Sequence, residues 1–368
     1  MGSTWGNALK LSIFGESHGA GIGVVMDGLP AGQPIDLEDL QLFMDRRAPG
    51  RTPWSTSRRE GDQPRILSGL YNGKTTGTPL AMVIENTDTR SKDYSELTIK
   101  PRPGHGDLTG IMRYDGANDP RGGGHFSGRL TACLVAAGGV ARQILARRRV
   151  QLAGRIFGIG CVYDRQVSWV NPDPDILKNL ANKAFPVIDD DLGLQMADVV
   201  AAARQNGDSV GGTVEVIAWG FPPGIGDPIF DGLEPRLGSL FFAIPAVKAV
   251  EFGDGVAVAN RFGSENNDAP SFVSVNGETK LRMLTNHGGG SDGGISNGMP
   301  IVARLSIKPT PSIGKVQPTV NLTTMQNDEL QIKGRHDPCI VPRAVPVAEA
   351  ALAIGLLDQW LGINGRRF

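Results

Sequence analysis

Apolar and polar positions at the start of the chain predict a strand over Leu9–Phe14, a glycine-rich turn and a second strand over Gly23–Met26. The run "DGLPAGQPI" follows as a turn, and Asp36 stands where a cap is needed for the helix "DLEDLQLFMDRR". Residues 48–64 are polar, basic and rich in turn formers, which predicts a long loop of the kind that carries function. Two strands come next, "RILSGLY" and "TPLAMVIEN", with "NGKTTG" turning between them. Residues 100–129 form a second loop-like stretch, dense in Gly, Arg, Asp and His. A helix is predicted over Leu130–Arg148, with an apolar face and a basic end suited to the negative pole of its dipole.

Further helices are expected at 173–184 and 192–205, the second stopped by "NGD". "TVEVIAWG" and "IVARLSIKP" read as strands and "GLEPRLGSLFFAI" as a helix. The closing "VPVAEAALAIGLLDQWLG" is apolar over much of its surface, which predicts a buried helix, with another subunit as one candidate cover. "VVMDGLPAGQPIDLEDL" is echoed by "VIAWGFPPGIGDPIFDGL", each reading strand, Gly-apolar-Pro turn and helix. That echo is either a duplicated unit or shared turn chemistry. No low-complexity linker divides the chain, so a single domain over 1–368 is expected.

Composition narrows the class. Lys plus Arg (37) nearly balance Asp plus Glu (38), which argues against a nucleic-acid footprint. Glycine, at 50 residues, is roughly twice its usual share and has no period of three, so it marks tight turns or close backbone approaches. The isolated Cys133, Cys161 and Cys339 support neither a zinc knuckle nor a disulfide framework and read as buried, reduced thiols. The N-terminus carries no signal-peptide pattern, and no apolar run is expected to approach membrane-spanning length. The expectation is a soluble, cytoplasmic protein without membrane or nucleic-acid partners.

The chemistry concentrates in the loops. All five histidines sit beside Gly, Arg or Asp: His18 in "FGESHGAG", His105 in "RPGHGD", His125 in "RGGGHFSGR", His287 in "NHGGGSDGG" and His336 in "GRHDP". Arg46, Arg47, Arg102, Arg121, Arg129 and Arg335 lie in or next to such segments, where lysine is scarce. Convergence of these loops would give imidazoles for proton transfer and guanidinium forks for a polyanionic ligand. "GESHG" satisfies the G-x-S-x-G pattern of a hydrolase nucleophile elbow at Ser17, but a strand follows where the elbow needs a helix. No P-loop, no Rossmann fingerprint and no metal-ligand spacing is present, so no metal is expected.

Taken in order, "FGESHG", "DRRAPG", "RREGDQPRILSGLYNGKTTGTPLAMVIENTDTRSKDY", "RPGHGDLTG", "RGGGHFSGRLTA", "GDSVGG", "AVKAVEFGDG", "NHGGGSDGGISNGMPI", "KPTPS" and "GRHDPCIVPRAVPVAEA" resemble the chorismate synthase family over essentially the whole chain. The resemblance implies an α+β fold, a single-domain β-α-β sandwich of helices and antiparallel sheets, to which the strand-turn-helix pseudo-repeat would belong. It implies a carbon-oxygen lyase that eliminates phosphate, 1,4-anti, from 5-enolpyruvylshikimate 3-phosphate to give chorismate in the shikimate pathway. It also implies dependence on reduced FMN without net redox change, NADPH as the candidate reductant, and a homotetramer.

Carried over residue by residue, the resemblance makes His18 the proton donor to departing phosphate, with Ser17 beside it. His105 sets the protonation of reduced FMN, and Asp337 takes part in removing the C6 proton. Arg46, Arg47, Arg102, Arg129 and Arg335 would hold anionic groups. Flavin contacts would come from His125, Phe126, Ser127, Ala246, Gly293, Lys308, Pro309, Thr310, Pro311, Ser312 and Arg335, with Ser127 also among the catalytic positions. This chain departs from the common family pattern at His125, Phe126 and Leu130, where Arg, Ser and Glu are usual. The first of these predicts a weaker or pH-dependent contact to the FMN phosphate. A further family arginine after Arg47 has no clear match, Pro53 and Trp54 occupying the region with Arg51 nearby. The competing readings are a non-catalytic anion or flavin binder and a phosphate-ester hydrolase.

Overall fold

A computed structural model describes residues 2–50, 61–87, 96–275, 277–332 and 337–364. Two five-stranded antiparallel sheets form its outer layers. The first has the order Thr4–Trp5, Lys10–Gly15, Gly21–Asp27, Leu80–Glu85, Arg65–Ser68. The second runs Val247–Phe252, Ile301–Ile307, Gly212–Trp219, Gln151–Ile159, Val162–Tyr163. Helix Thr131–Ala146 packs on the first sheet, helix Val341–Asn364 on the second, and the two helices pack on each other. The layering is therefore sheet, helices, sheet, with helices Leu37–Arg47 and Leu233–Phe242 flanking the C-terminal helix.

Local chemistry explains several boundaries. Asp36 accepts hydrogen bonds from the backbone N–H groups of Glu38 and Asp39, so the first helix starts where its cap was read. Gly69, at φ +82°, breaks "RILSGLY" and lets Leu70–Tyr71 turn into a small hairpin with Lys74–Thr75. The stretch 100–129 contains a helix, Asp107–Tyr114, that its glycines and charges disguise. Strands Gln151–Ile159 and Val247–Phe252 and the hairpins Pro270–Val275/Glu278–Met283 and Val316–Asn321/Gln326–Gln331 are the longer elements that patterning left unassigned.

Helix Thr131–Ala146 was expected to bury one face. It is buried almost all round, because it fills the middle layer. The C-terminal helix is likewise covered by this chain's own helices and second sheet, so no other subunit is needed to bury it. By length and apolar composition Gly128–Ala146 (19 residues) and Val341–Ile363 (23 residues) do reach membrane-spanning size, contrary to the reading above, and 89% of each window is buried in the protein.

The two central helices approach closely where Gly138 meets Ala350, in a stretch whose neighbours Ala136, Ala137 and Ala351 are also small and buried. A Cβ at Gly138 would lie 2.3 Å from the Ala350 Cβ, closer than packing permits. Gly138→Ala is accordingly expected to lower unfolding free energy by about 1–3 kcal/mol, as overpacking does. A denaturant midpoint equal to that of the unsubstituted protein would show that the helices separate without cost.

The cysteines separate by environment. Burial pushes the thiols of Cys133 and Cys339 up to about 12, whereas Cys161 is exposed, correcting the expectation of three buried thiols. A raised thiol pKa means negligible thiolate at mild alkaline pH, so the native protein should react with a thiol reagent at Cys161 and release the other two only on unfolding. Rapid labelling of all three in the folded state would contradict this arrangement.

Candidate active site

A cavity of about 380 Å³ opens at one end of the helix layer, beside Thr131 at the start of one central helix and Ile340 and Ala344 at the start of the other. The positive poles of two long helices therefore meet there, which favours anions. The other walls come from the end of helix Leu37–Arg47, the turns around Arg102–Gly106 and Gly122–Arg129, the turn Ile244–Ala246, and the segment after strand Ile301–Ile307.

Cations and buried carboxylates organise the walls. Arg47 and Arg129 both pair with Asp62, whose side chain is fully buried between them. Burial works against the Asp62 carboxylate, but the two guanidiniums hold it below the usual carboxylate range. Burial brings Arg47 down to about 10, with Asp62 opposing the shift and Arg343 and Arg129 adding to it, so Arg47 stays charged at neutral pH. Arg47 also donates from Nε to Thr131 Oγ1 at 3.1 Å, and Arg129 from Nε to Asn86 Oδ1 at 3.1 Å. Across the cavity Arg343 donates to Asp337 Oδ2 at 2.5 Å and to the Arg47 carbonyl at 3.0 Å. Lys308 donates from Nζ to the Gly104 carbonyl at 2.5 Å, and its backbone N–H reaches the Ala246 carbonyl at 2.9 Å. Ala246 holds φ +75°, a left-handed conformation unusual for alanine and found on the cavity wall itself.

The histidines occupy distinct positions. His105 lines the cavity, with Nδ1 2.6 Å from Asp107 Oδ1. His18 is only 6% exposed, with Nδ1 3.2 Å from Ser17 Oγ; neither residue lines the cavity, and the lining residue Gly122 lies against the His18 ring. Residues 122–124 hold three successive positive φ angles. A Cβ at Gly122 would come within 2.1 Å of His18 Nδ1, and one at Gly123 within 2.7 Å of His105 Cε1. The turn is thus a bare-backbone spacer between two imidazoles.

Of the expected residues, Arg47, Arg102, His105, Phe126, Ser127, Arg129, Ala246, Lys308, Thr310, Pro311, Ser312 and Asp337 share the cavity wall. Ser127 Oγ accepts from the Arg129 backbone N–H at 3.3 Å. Pro309 belongs to the same segment without lining the cavity, and lies near Gly211. Arg102 turns its guanidinium onto Asp107 and Ser312. Arg46 instead forms a two-pronged pair with Glu349, at 2.6 and 2.8 Å, outside the cavity lining. Arg121 pairs with Asp119 at an exposed site. His125 sets its ring nitrogens 2.9 Å from Ser3 Oγ and 2.9 Å from the Gly15 carbonyl, away from the lining. Gly293 occupies the turn between Ser291–Asp292 and Ile295–Ser296, and His287 pairs with Asp254; neither lines the cavity. Arg51, Arg335 and His336 lie outside the described residues. Three residues escaped the sequence reading: Asp62, Asp107 and Arg343. The only available signal was their place inside the quoted segments "REGDQP", "RPGHGD" and "VPRAV".

The family model described as chorismate synthase matches residues 9–361. A chorismate synthase of Methanosarcina barkeri is 45% identical over 360 residues, covering 98% of this chain and 96% of that protein. Those of Methanocella arvoryzae and Dehalococcoides mccartyi are 47% and 44% identical over 362 and 358 residues, covering 98% and 97% of this chain and 94% and 96% of theirs. A solved crystal structure of chorismate synthase superposes with a TM-score of 0.77 at 28% identity, covering 98% of this chain and 94% of the other. The mixed helix and antiparallel-sheet architecture, the near-complete family match and the curated relatives agree, and the chain belongs to the chorismate synthase family of carbon-oxygen lyases.

Proposed function

We propose that this chain eliminates phosphate, 1,4-anti, from 5-enolpyruvylshikimate 3-phosphate to form chorismate, with reduced FMN bound beside the substrate. The observation that carries the reading is the cationic cavity where both central helices start, with Arg47, Arg129, Arg343 and Lys308 on its walls. A substrate with one phosphate and two carboxylates matches that field. The cavity is of ligand-binding size, about 300–1,000 Å³ being usual. Its other walls suit a flavin, with Phe126, Ile244, Pro245, Ala246 and Pro311 for a flat ring and Lys308 and the arginines for a phosphate.

When bound, reduced FMN supplies transient electron donation that eases C–O cleavage without net redox change. The protein's share is placement and proton handling. Arg47 and Arg129 hold the ligand's anionic groups at the helix starts. His18 delivers a proton to the departing phosphate, with Ser17 Oγ hydrogen-bonded at its Nδ1. Asp337 accepts the C6 proton from a position fixed by Arg343. His105 governs the protonation of reduced flavin. Arg335 is assigned to the same anionic ligands by the family resemblance alone. In this reading Arg102 acts on His105 and Asp107, not on substrate.

NADPH is the proposed reductant, the compartment is the cytoplasm and the assembly is a homotetramer. Exposed apolar side chains support the last of these: Phe272 and Leu281 sit opposite each other on one hairpin, 76% and 64% exposed.

Anaerobic phosphate release from the substrate should require reduced FMN. Release without flavin would favour a phosphate-ester hydrolase, and no release under any condition would favour a binding protein. His18→Ala is expected to lower kcat by about 100-fold or more, the usual weight of general acid catalysis, while reduced FMN still binds. A severe Ser17→Ala paired with a mild His18→Ala would reverse these two assignments.

A further inference from the structure

We propose that Asp107 is a positioning residue that holds His105 as the Nδ1–H tautomer, so that Nε2 is the nitrogen presented to the ligand. The inference deepens the function proposed above and rests on its placing His105 beside the flavin. The geometry begins with Asp107 itself. Its carboxylate is buried at the first turn of helix Asp107–Tyr114, where the positive pole of the helix also favours negative charge. Arg102 donates to it three times: from Nε to Oδ2 at 2.7 Å, from the backbone N–H to Oδ2 at 3.1 Å, and from Nη2 to Oδ1 at 2.8 Å. Burial opposes ionisation, but the bonds from Arg102 and His105 hold the carboxyl far below the usual carboxylate range. An ionised carboxylate only accepts hydrogen bonds.

His105 Nδ1 lies 2.6 Å from Oδ1 of that carboxylate. Two lone pairs do not meet at this distance, so the proton is on Nδ1. Arg102 Nη2 carries two hydrogens, one directed at Oδ1 and one within reach of Nδ1 at 3.1 Å, but the ionised carboxylate at 2.6 Å is the shorter contact and the one that a proton on Nδ1 satisfies. The opposite edge of the ring faces the glycine turn, where a Cβ at Gly123 would lie 2.7 Å from Cε1 and 3.1 Å from Nε2. The absence of a side chain there keeps the Nε2 edge clear. Neutral His105 thus offers Nε2 as an acceptor. When the ring takes a second proton, Nε2 carries it and Asp107 stabilises the imidazolium. The carboxylate has no direct part in the chemistry and selects which ring nitrogen does.

Asp107→Asn makes a sharp test. The oxygen of the amide must occupy the Oδ2 place, because Arg102 Nε and its backbone N–H both donate there. The amide NH2 then takes the Oδ1 place, gives up the bond from Arg102 Nη2, and faces His105 Nδ1 as a donor, which turns the ring to the Nε2–H tautomer. Nitrogen-15 NMR of histidine-labelled, unliganded full-length protein, assigned by loss of signals in His105→Gln, reads the tautomer directly. The expected result is an Nδ1–H, Nε2-bare ring in the unsubstituted protein, with a strongly deshielded Nδ1 proton, and conversion toward Nε2–H in Asp107→Asn. Turnover of the variant should fall by about 100-fold in kcat with KM little changed, because proton exchange at Nε2 is lost and anion binding is not. A proton on Nε2 in the unsubstituted protein overturns the proposal without recourse to any variant. So does an Asp107→Asn protein that keeps both its Nδ1–H signal and its kcat. If the unsubstituted protein shows the expected tautomer and yet releases no phosphate, it is the proposed reaction that fails and not the assignment of Asp107.

Discussion

One buried carboxylate holds the site in register. Asp62 pairs with Arg47 at the end of one helix and with Arg129 just before another begins. Two buried guanidiniums would repel each other, and Arg129 also stands close to the positive pole of the helix that follows it. Asp62 neutralises part of that charge and fixes where the rest points. A buried ion pair adds little net stability compared with apolar packing, but removing one partner costs about 3–5 kcal/mol, so the geometry is strongly enforced. With Arg343 offset by Asp337, positive charge still remains in excess on the cavity wall, through the second arginine on Asp62, Lys308 and the two helix starts. That surplus is what the proposed anionic ligand would neutralise.

That arrangement depends on the middle layer. Both central helices begin at the cavity because they run side by side between the sheets, and they run side by side because small residues let their backbones approach. The helix starts are thus fixed by packing many residues away from any ligand. The second sheet adds a polar counterpart on its own strands: Arg155, Glu215 and Arg304 are paired in register across three neighbours, with Asp164 on Arg155. These charges pair with one another, although one terminal nitrogen of Arg155 has no hydrogen-bond partner among the described residues, and none of the four residues lines the cavity.

Much of this was legible in the sequence, and the exceptions have physical reasons. The Asp36 cap and the "TVEVIAWG" strand followed from local chemistry alone. Strand Gln151–Ile159 did not, because Gly154 and Gly158 interrupt its pattern; a side chain at Gly154 would run into Glu349. Arginine type identified Arg46 and Arg47 together, yet adjacent positions on a helix point about 100° apart, and Arg47 alone faces the cavity. Asp62 stood beyond sequence reasoning for a different reason. Its partners lie 15 and 67 residues away, so its role exists only after the chain has folded. Asp107 was hidden by proximity: next to a conspicuous histidine it read as part of a loop.

The glycine turn at 122–124 separates what this loop can change from what it cannot. His125, one of the positions where the chain departs from the common family pattern, turns outward to Ser3 and Gly15, and its side chain is free of the cavity lining. The preceding residues have no such freedom, since any side chain at 122 or 123 would displace an imidazole. Anyone redesigning this enzyme's ligand range must therefore treat the turn at 122–124 as fixed backbone hardware, whichever side chain follows it.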